Sequence, residues 1–471
     1  MKRALIGTLL LANPVIFAAD AAKILGAAAD AMGVTNLTSI EYKGTGSSYE
    51  FGQAVNANAP WPLLPMKYYI ADINYSTPAR RQEMYRAQPD GAPPFGGFVQ
   101  IQLVSGGDAW NMAGNPPAPN PAPVNVAERQ IQIWLTPPGF IKGAQANHAT
   151  VNGKVVTFMT PDHHKIRGTL DAQNMVVKTE TWLDSPVLGD MPVETTFSNY
   201  KDFKGVKFPT VIAQTQGGHP ILDLVISEVK PNEAMAIDVP DKIRNAQIPA
   251  ETVTSEKIGD GVWYLTGGSH NSLVAEFNNY IVLIESPLDE ARGSAVIAEA
   301  HKLVPNKPIR YVVNTHNHFD HLGGIRTAAA EGAIVLTPAS NKAYYEKIFA
   351  NPHTLNPDKL SRSKKKVKVE GVQGKRVLTD GTQEIDLYVE PIAGHNDGML
   401  LIYFPKNKIL SEADAYPVPP SPAHPGMPNP WTVQLDSEIR ELKLDVDRIA
   451  PLHARMSTFA DLQKIVGKSG N

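Results

Sequence analysis

Tyr311–Gly324 reads YVVNTHNHFDHLGG. Val312 and Val313 continue an apolar run from Ile309 through Arg310, and the run predicts a buried strand. It stops after Thr315. His316 and His318 stand two residues apart, so an extended backbone turns both imidazoles to one side. Asp320 and His321 follow, then Leu322-Gly323-Gly324. Three imidazoles and a carboxylate directly after an apolar strand form a ligand set suited to zinc or iron. The competing reading is a polar turn carrying surface histidines.

Three further candidates follow apolar strands downstream. His395 lies in Gly394-His395-Asn396-Asp397-Gly398, Asp414 follows Ile409-Leu410-Ser411, and His453 follows Ile449-Ala450-Pro451-Leu452. Ligand groups gather on loops at strand ends, where they turn toward a common point without disturbing a core. The chain contains no cysteine, which excludes disulfides and leaves nitrogen and oxygen to hold any metal.

The 471 residues suffice for two or three domains with real cores. A formal charge of -3, from 44 basic and 47 acidic residues, gives no general attraction to nucleic acid. Lys2 and Arg3 precede a largely apolar Ala4–Phe17 interrupted by Asn13 and Pro14, and small alanines follow at 18, 19, 21 and 22. This predicts a cleaved signal peptide over residues 1–21 and a periplasmic or secreted protein, or a cytoplasmic one if the segment is retained. No later apolar run reaches bilayer-spanning length, so no integral membrane segment is expected in the mature chain.

Residues 22–240 read as a mostly antiparallel β domain after a helix over Ala21–Met32. Leu37–Tyr42, Tyr68–Tyr75, Met84–Gln88 and Phe98–Val104 are predicted strands, and Asn152-Gly153 is a hairpin turn. The proline-rich Asn111–Val126 reads as a linker or loop. Gln130–Leu135 reads as a strand or helix start ended by Pro137 and Pro138. Residues 245–471 alternate strands and helices beside antiparallel hairpins, which predicts two sheet layers covered by helices.

Residues 250–460 resemble the metallo-β-lactamase fold superfamily, on His316-Asn317-His318-Phe319-Asp320-His321 and the later candidates in the same order. The resemblance implies an α+β chain with a C-terminal αββα sandwich and two divalent metal ions, zinc first, at one edge of the sheets. It assigns His316, His318 and His395 to one ion, Asp320, His321 and His453 to the other, and Asp414 between them. Asp320 would also orient a metal-bridging hydroxide. His270, in Gly267-Gly268-Ser269-His270-Asn271, would either donate to an oxyanion or serve a rim role. Glu285, at the end of an early strand, would steady the motif's loop. Tyr416 and Trp431 flank the proline-rich Pro417–Pro430 with Met427 between them, so these three read as substrate contacts on an apolar lid or as cover for the sheet edge.

Because cysteine is absent, the ligand set looks closer to the hydrolase, lactonase, thioesterase and sulfatase members than to relatives with a cysteine ligand. His318 stands where diiron relatives carry an acid, and no flavin domain follows. The expected reaction is hydrolysis of an ester, lactone or amide carbonyl in a mostly apolar small molecule. A β-lactamase or alkylsulfatase-type hydrolase is the alternative within that class. Val176–Gly218 resembles lipoprotein-carrier sheets, chiefly through residues 200–209, YKDFKGVKFP. That resemblance keeps open a ligand-carrying or assembly protein with a structural metal centre, and the sheet could also supply a homodimer surface.

Overall fold

The computed structural model describes residues 18–87, 97–419 and 429–467. Nearly all of the expected signal segment and Met427 therefore lie outside the described residues.

The first half is one 13-stranded antiparallel sheet built outward from its middle. Ser39–Tyr49 pairs with Leu63–Asn74 on one side and with His219–Pro231, the last strand of the sheet, on the other. Its register slips beside Gly44 on both sides. Glycine is required there, since a Cβ on Gly44 would lie 2.4 Å from the Val225 carbonyl oxygen. One face of the sheet buries Tyr42, Tyr69, Ile73, Val193 and Phe208 against Leu25, Ala28 and Met32 of helix Ala18–Met32, and against Ile133 and Phe140.

Two expectations need correction. Residues 111–126 are not a linker: Asp108–Ala113 and Ala118–Pro121 are the last two strands at one edge of the sheet. An edge strand tolerates Pro119 and Pro121 because a missing N–H can face away from the ladder. Pro137 and Pro138 separate two helices, Val126–Trp134 and Pro137–Ala146. The first turn of a helix has no use for those N–H groups, and the Thr136 hydroxyl caps it by accepting from the Gly139 N–H at 3.2 Å.

The second half holds two sheets face to face. The seven-stranded sheet runs in chain order from Thr254–Gly259 to Val369–Val372, and the six-stranded sheet from Lys375–Thr379 to Ser457–Thr458. Strand alternation separates the layers. Val282, Ile284 and Val313 point between the sheets toward Leu387, Ile402 and Leu410, whereas Ile281, Leu283 and Val312 point outward under helices Glu290–Leu303 and Lys342–Phe349. Helices Pro430–Glu441 and Phe459–Ile465 cover the other sheet. The result is the αββα sandwich that the resemblance implied.

The halves meet along two seams. At one, the hairpin around Val187 enters the helical layer, and Asp190 accepts from the Thr354 and Leu355 N–H groups at 2.8 and 2.9 Å. At the other, the loop after Ser39–Tyr49 lies on the histidine motif. Among the described residues no helix is long and apolar enough to cross a membrane.

The outer helix of the six-stranded sheet carries a pH dependence. Burial pushes the Glu438 carboxyl up to about 7, with Glu390 and Glu441 adding repulsion. At low pH both folded and unfolded chains are protonated there and no penalty exists. As pH rises from the unfolded value through 7 the unfolded chain ionises first, so stability falls by about 3 kcal/mol in total. Glu438→Gln keeps a carbonyl to accept from Gln434. It should raise the denaturant midpoint relative to wild type at about pH 8 and leave it unchanged at about pH 4.5.

Candidate metal centre

His316 and His318 stand in the turn after a strand, and His321 in the short helix Phe319–Leu322 that follows it. Strand Ile309–Val313 ends, Asn314 and Thr315 turn the chain inward, and His316, His318 and His321 are each 2% exposed or less. His395 sits between strands Glu384–Ile392 and Asn396–Phe404, Asp414 follows Ile409–Glu412, and His453 follows Arg448–Pro451. His270 lies between Val262–Thr266 and Ser272–Glu276. Both sheets therefore deliver their ligand-bearing loops to the same edge.

Asp414 is at the centre. Its Oδ2 lies 3.2 Å from the Nε2 atoms of His316, His321 and His395 alike, and its Oδ1 lies 2.9 Å from His453 Nε2. Potential ligand atoms fall into two groups, each drawn within 4.8 Å: His316, His318, His395 and Asp414 in one, and His270, Asp320, His321 and His453 in the other. His270 thus stands with the second group, its Nε2 3.0 Å from Asp320 Oδ2.

Nitrogen and oxygen atoms here face one another without satisfying one another. His316 Nε2, His318 Nε2, His395 Nε2, His321 Nδ1 and Asp414 Oδ2 are buried with no hydrogen-bond partner. Leaving five such atoms unsatisfied costs more than a fold tolerates, and a cation would satisfy most of them. Electrostatics agree. Burial and the neighbouring His395 hold His318 down to about 3, the neutral form a ligand requires. Burial also disfavours a charged His321, but the carboxylates of Asp414, Glu285 and Asp320 outweigh it and push that imidazole up to about 10. The cluster of carboxylates draws in positive charge, and the His/Asp groups are able to bind metal.

Around these side chains, buried partners fix the loops. Glu285 is fully buried at φ +60° and accepts from the Thr315 N–H and from Asn314 Nδ2 at 2.7 and 2.9 Å. Tyr345 donates to the His316 carbonyl at 2.9 Å. The Thr315 hydroxyl sits 3.0 Å from His316 Nδ1, leaving Nε2 to face the cluster. Glu412, pushed up to about 8 by burial and by Asp414, accepts from the Ala415 and Tyr416 N–H groups and holds the Asp414 loop.

Trp431 lies over His395, ring centroids 4.6 Å apart, and donates to the Ala393 carbonyl. Tyr416 is 2% exposed, with its hydroxyl on Ser457. The sequence carried no sign of the contribution from the first half. Gln53 Nε2 donates to Asp320 Oδ1 at 2.9 Å, the Phe319 N–H donates to the Gly52 carbonyl, and Asn317 donates to the Ala54 carbonyl. Phe51 and Trp61 pack edge-on against Phe319.

Residues 265–453 match the metallo-beta-lactamase superfamily. It is similar to the 2,4-dinitroanisole O-demethylase subunit alpha of Nocardioides sp. (strain JS1661), 26% identical over 211 residues, which are 43% of this chain and 58% of that protein. The chain thus spans less than two thirds of that relative's length. Similar solved structures include a metallo-beta-lactamase from Pontibacter korlensis, at 17% identity over 47% of this chain and 100% of that one with a TM-score of 0.34. Another is from Hirschia baltica, at 18% identity over 46% and 97% with a TM-score of 0.34.

Gly52 tests the seam over the motif. It sits at φ +72°, and a Cβ there would lie 2.3 Å from the Phe319 ring. Gly52→Ala should cost about 2 kcal/mol through backbone strain and the clash, read as a lowered thermal midpoint. A second measurement addresses the metal. The protein should co-purify with divalent metal by atomic emission, and Asp414→Ala should lose most of it while keeping its circular dichroism spectrum.

Proposed function

We propose that the protein is a dinuclear metal-dependent hydrolase acting on an ester, lactone or amide carbonyl of a mostly apolar small molecule. The observation that carries this reading is Asp414, whose two oxygens face imidazoles of both ligand groups. His316, His318 and His395 would hold one ion and Asp320, His321 and His453 the other, with Asp414 between. Bound divalent ions would supply Lewis acidity toward a substrate oxygen and lower the pKa of water into the neutral range. Zinc suits the imidazole-rich set.

The chain's own residues do the positioning. Asp320 takes one hydrogen bond on each oxygen, from Gln53 on Oδ1 and His270 on Oδ2, so its carboxylate plane is set by donors from both halves. Ser269 Oγ lies 2.9 Å from His270 Nδ1 and favours the tautomer in which Nε2 carries the proton toward Asp320. With its proton committed there, His270 supports Asp320 more directly than it supports an oxyanion. Trp431 gives the His395 side of the cluster an apolar wall. The basic N-terminus and its alanine-rich run support export to the periplasm or beyond.

A second reading has its own support. The relative from Nocardioides is named an O-demethylase subunit, which makes an aryl methyl ether a further candidate for the bond cleaved. Metal-loaded protein should be assayed on aryl esters, lactones, β-lactams, alkyl sulfates and nitro-substituted anisoles, before and after chelation. Turnover of an ester or lactone, abolished by chelation and lowered at least about 10³-fold in folded His316→Ala, is the expected result. Undiminished turnover in that variant would reject the mechanism, and release of a phenol from anisoles alone would favour the second reading.

A further inference from the structure

A cavity of about 420 Å³ lies inside the first half, between the sheet's inner face and helix Val126–Trp134. Its lining is unlike an acyl-chain cradle. Three arginines, Arg80, Arg86 and Arg129, share it with Glu50 and Glu128, and glutamine amides line much of the rest. Arg80 and Arg129 are each 6% exposed.

Among the described residues none of these arginines forms an ion pair. Arg80 donates through Nη2 to the Tyr69 hydroxyl at 2.9 Å and to Gln82, and its buried Nε has no partner. Arg129 donates to the carbonyls of Leu103 and Trp110 and to Asn111 Oδ1, all neutral acceptors. Arg86 Nε donates to the Ser48 hydroxyl. The buried arginines elsewhere among the described residues stand beside acids, Arg326 with Asp358 and Arg292 with Glu251. Glu50 and Glu128 offset part of this charge from beyond contact distance, without a direct ion pair, and the usual close partner for a buried guanidinium held only by neutral acceptors is an anion. Three positive and two negative side chains leave the lining one charge positive. Tyr42, Met84, Phe197 and Leu224 add an apolar wall.

The cavity also reaches the metal centre's supporting loop. Phe51 and Gln53 are part of its lining, and Gln53 is the residue that donates to Asp320. We propose that this cavity binds a small organic anion, with its carboxylate or phosphate head on Arg80, Arg86 and Arg129 and a compact apolar body against Tyr42, Met84 and Phe197.

Isothermal titration of the full chain with benzoate, phenyl phosphate and benzamide tests it. One of the two anions should saturate the protein at low millimolar concentration, and the tighter of them identifies the head group. Benzamide, the neutral analogue, should bind at least about tenfold more weakly. Anion binding should persist in His316→Ala, which separates the cavity from the metal centre. Gln132→Glu keeps an acceptor for the Gln214 amide but adds a negative charge to the lining. It and Arg86→Gln should each weaken the anion about tenfold with the fold intact by circular dichroism. Failure of both anions to saturate by about 10 mM, equal affinity for benzamide, or unchanged affinity in both variants would overturn the proposal.

Discussion

One carboxylate organises the second half of the molecule. Asp414 meets three imidazole nitrogens on one oxygen and a fourth on the other, all within about the span of a single coordination sphere. No contiguous segment can deliver that arrangement. His316 and His321 come from the seven-stranded sheet, and His395, Asp414 and His453 from the six-stranded one. The two sheets must therefore pack with their loop-bearing edges in register. The interdigitated apolar layer of Val282, Ile284, Val313, Leu387, Ile402 and Leu410 holds that register. Packing and chemistry are two consequences of the same sheet alignment.

The buried acids Glu285 and Glu412 show how each sheet aims its loop. Each stands at the end of a strand and is 0% exposed; Glu285 accepts from the Thr315 N–H beyond the neighbouring strand, and one oxygen of Glu412 accepts from the Ala415 and Tyr416 N–H groups. A buried carboxyl is costly, and at Glu285 a left-handed backbone adds strain. Such costs persist where the surroundings over-determine the conformation. Here they fix the two turns that carry His316 and Asp414 inward, one from each sheet.

How much of this was legible depended on whether a residue's role was local. The His316–His321 spacing, the apolar run before it and the cysteine-free ligand set are local patterns that pointed to a metal site, and the family resemblance carried by the motif implied the sandwich and the edge where such residues gather. His395, Asp414 and His453 were legible because each follows an apolar strand. Gln53 was not, because its role is set by a partner 267 positions away and its neighbours carry no periodicity. The proline-rich stretch at 111–126 misled for a related reason. Proline argues against strand interiors, but at a sheet edge the missing donor has no consequence, and edge position is a property of the whole sheet. Pro137 and Pro138 lie just past the end of one helix and open the next, and the second role depends on the Thr136 cap, which no periodicity announces.

The N-terminal sheet is therefore more than an attachment. Its loop supplies one of the two hydrogen bonds on Asp320, and Phe51 and Trp61 wedge Phe319, the residue immediately before it. An aspartate bonded on one oxygen can still swing about its side-chain torsions, whereas bonds on both oxygens from rigid partners fix its plane. His270 is rigid because it is buried in the sandwich, and its carbonyl accepts from Arg292. Gln53 is held because Gly52 and Ala54 on either side of it accept hydrogen bonds from the motif itself, through Phe319 and Asn317. The motif thus grips the loop that orients it. Any ligand or substitution that shifted this loop inside the first half would be felt first at Asp320, without any change in the second half's own core.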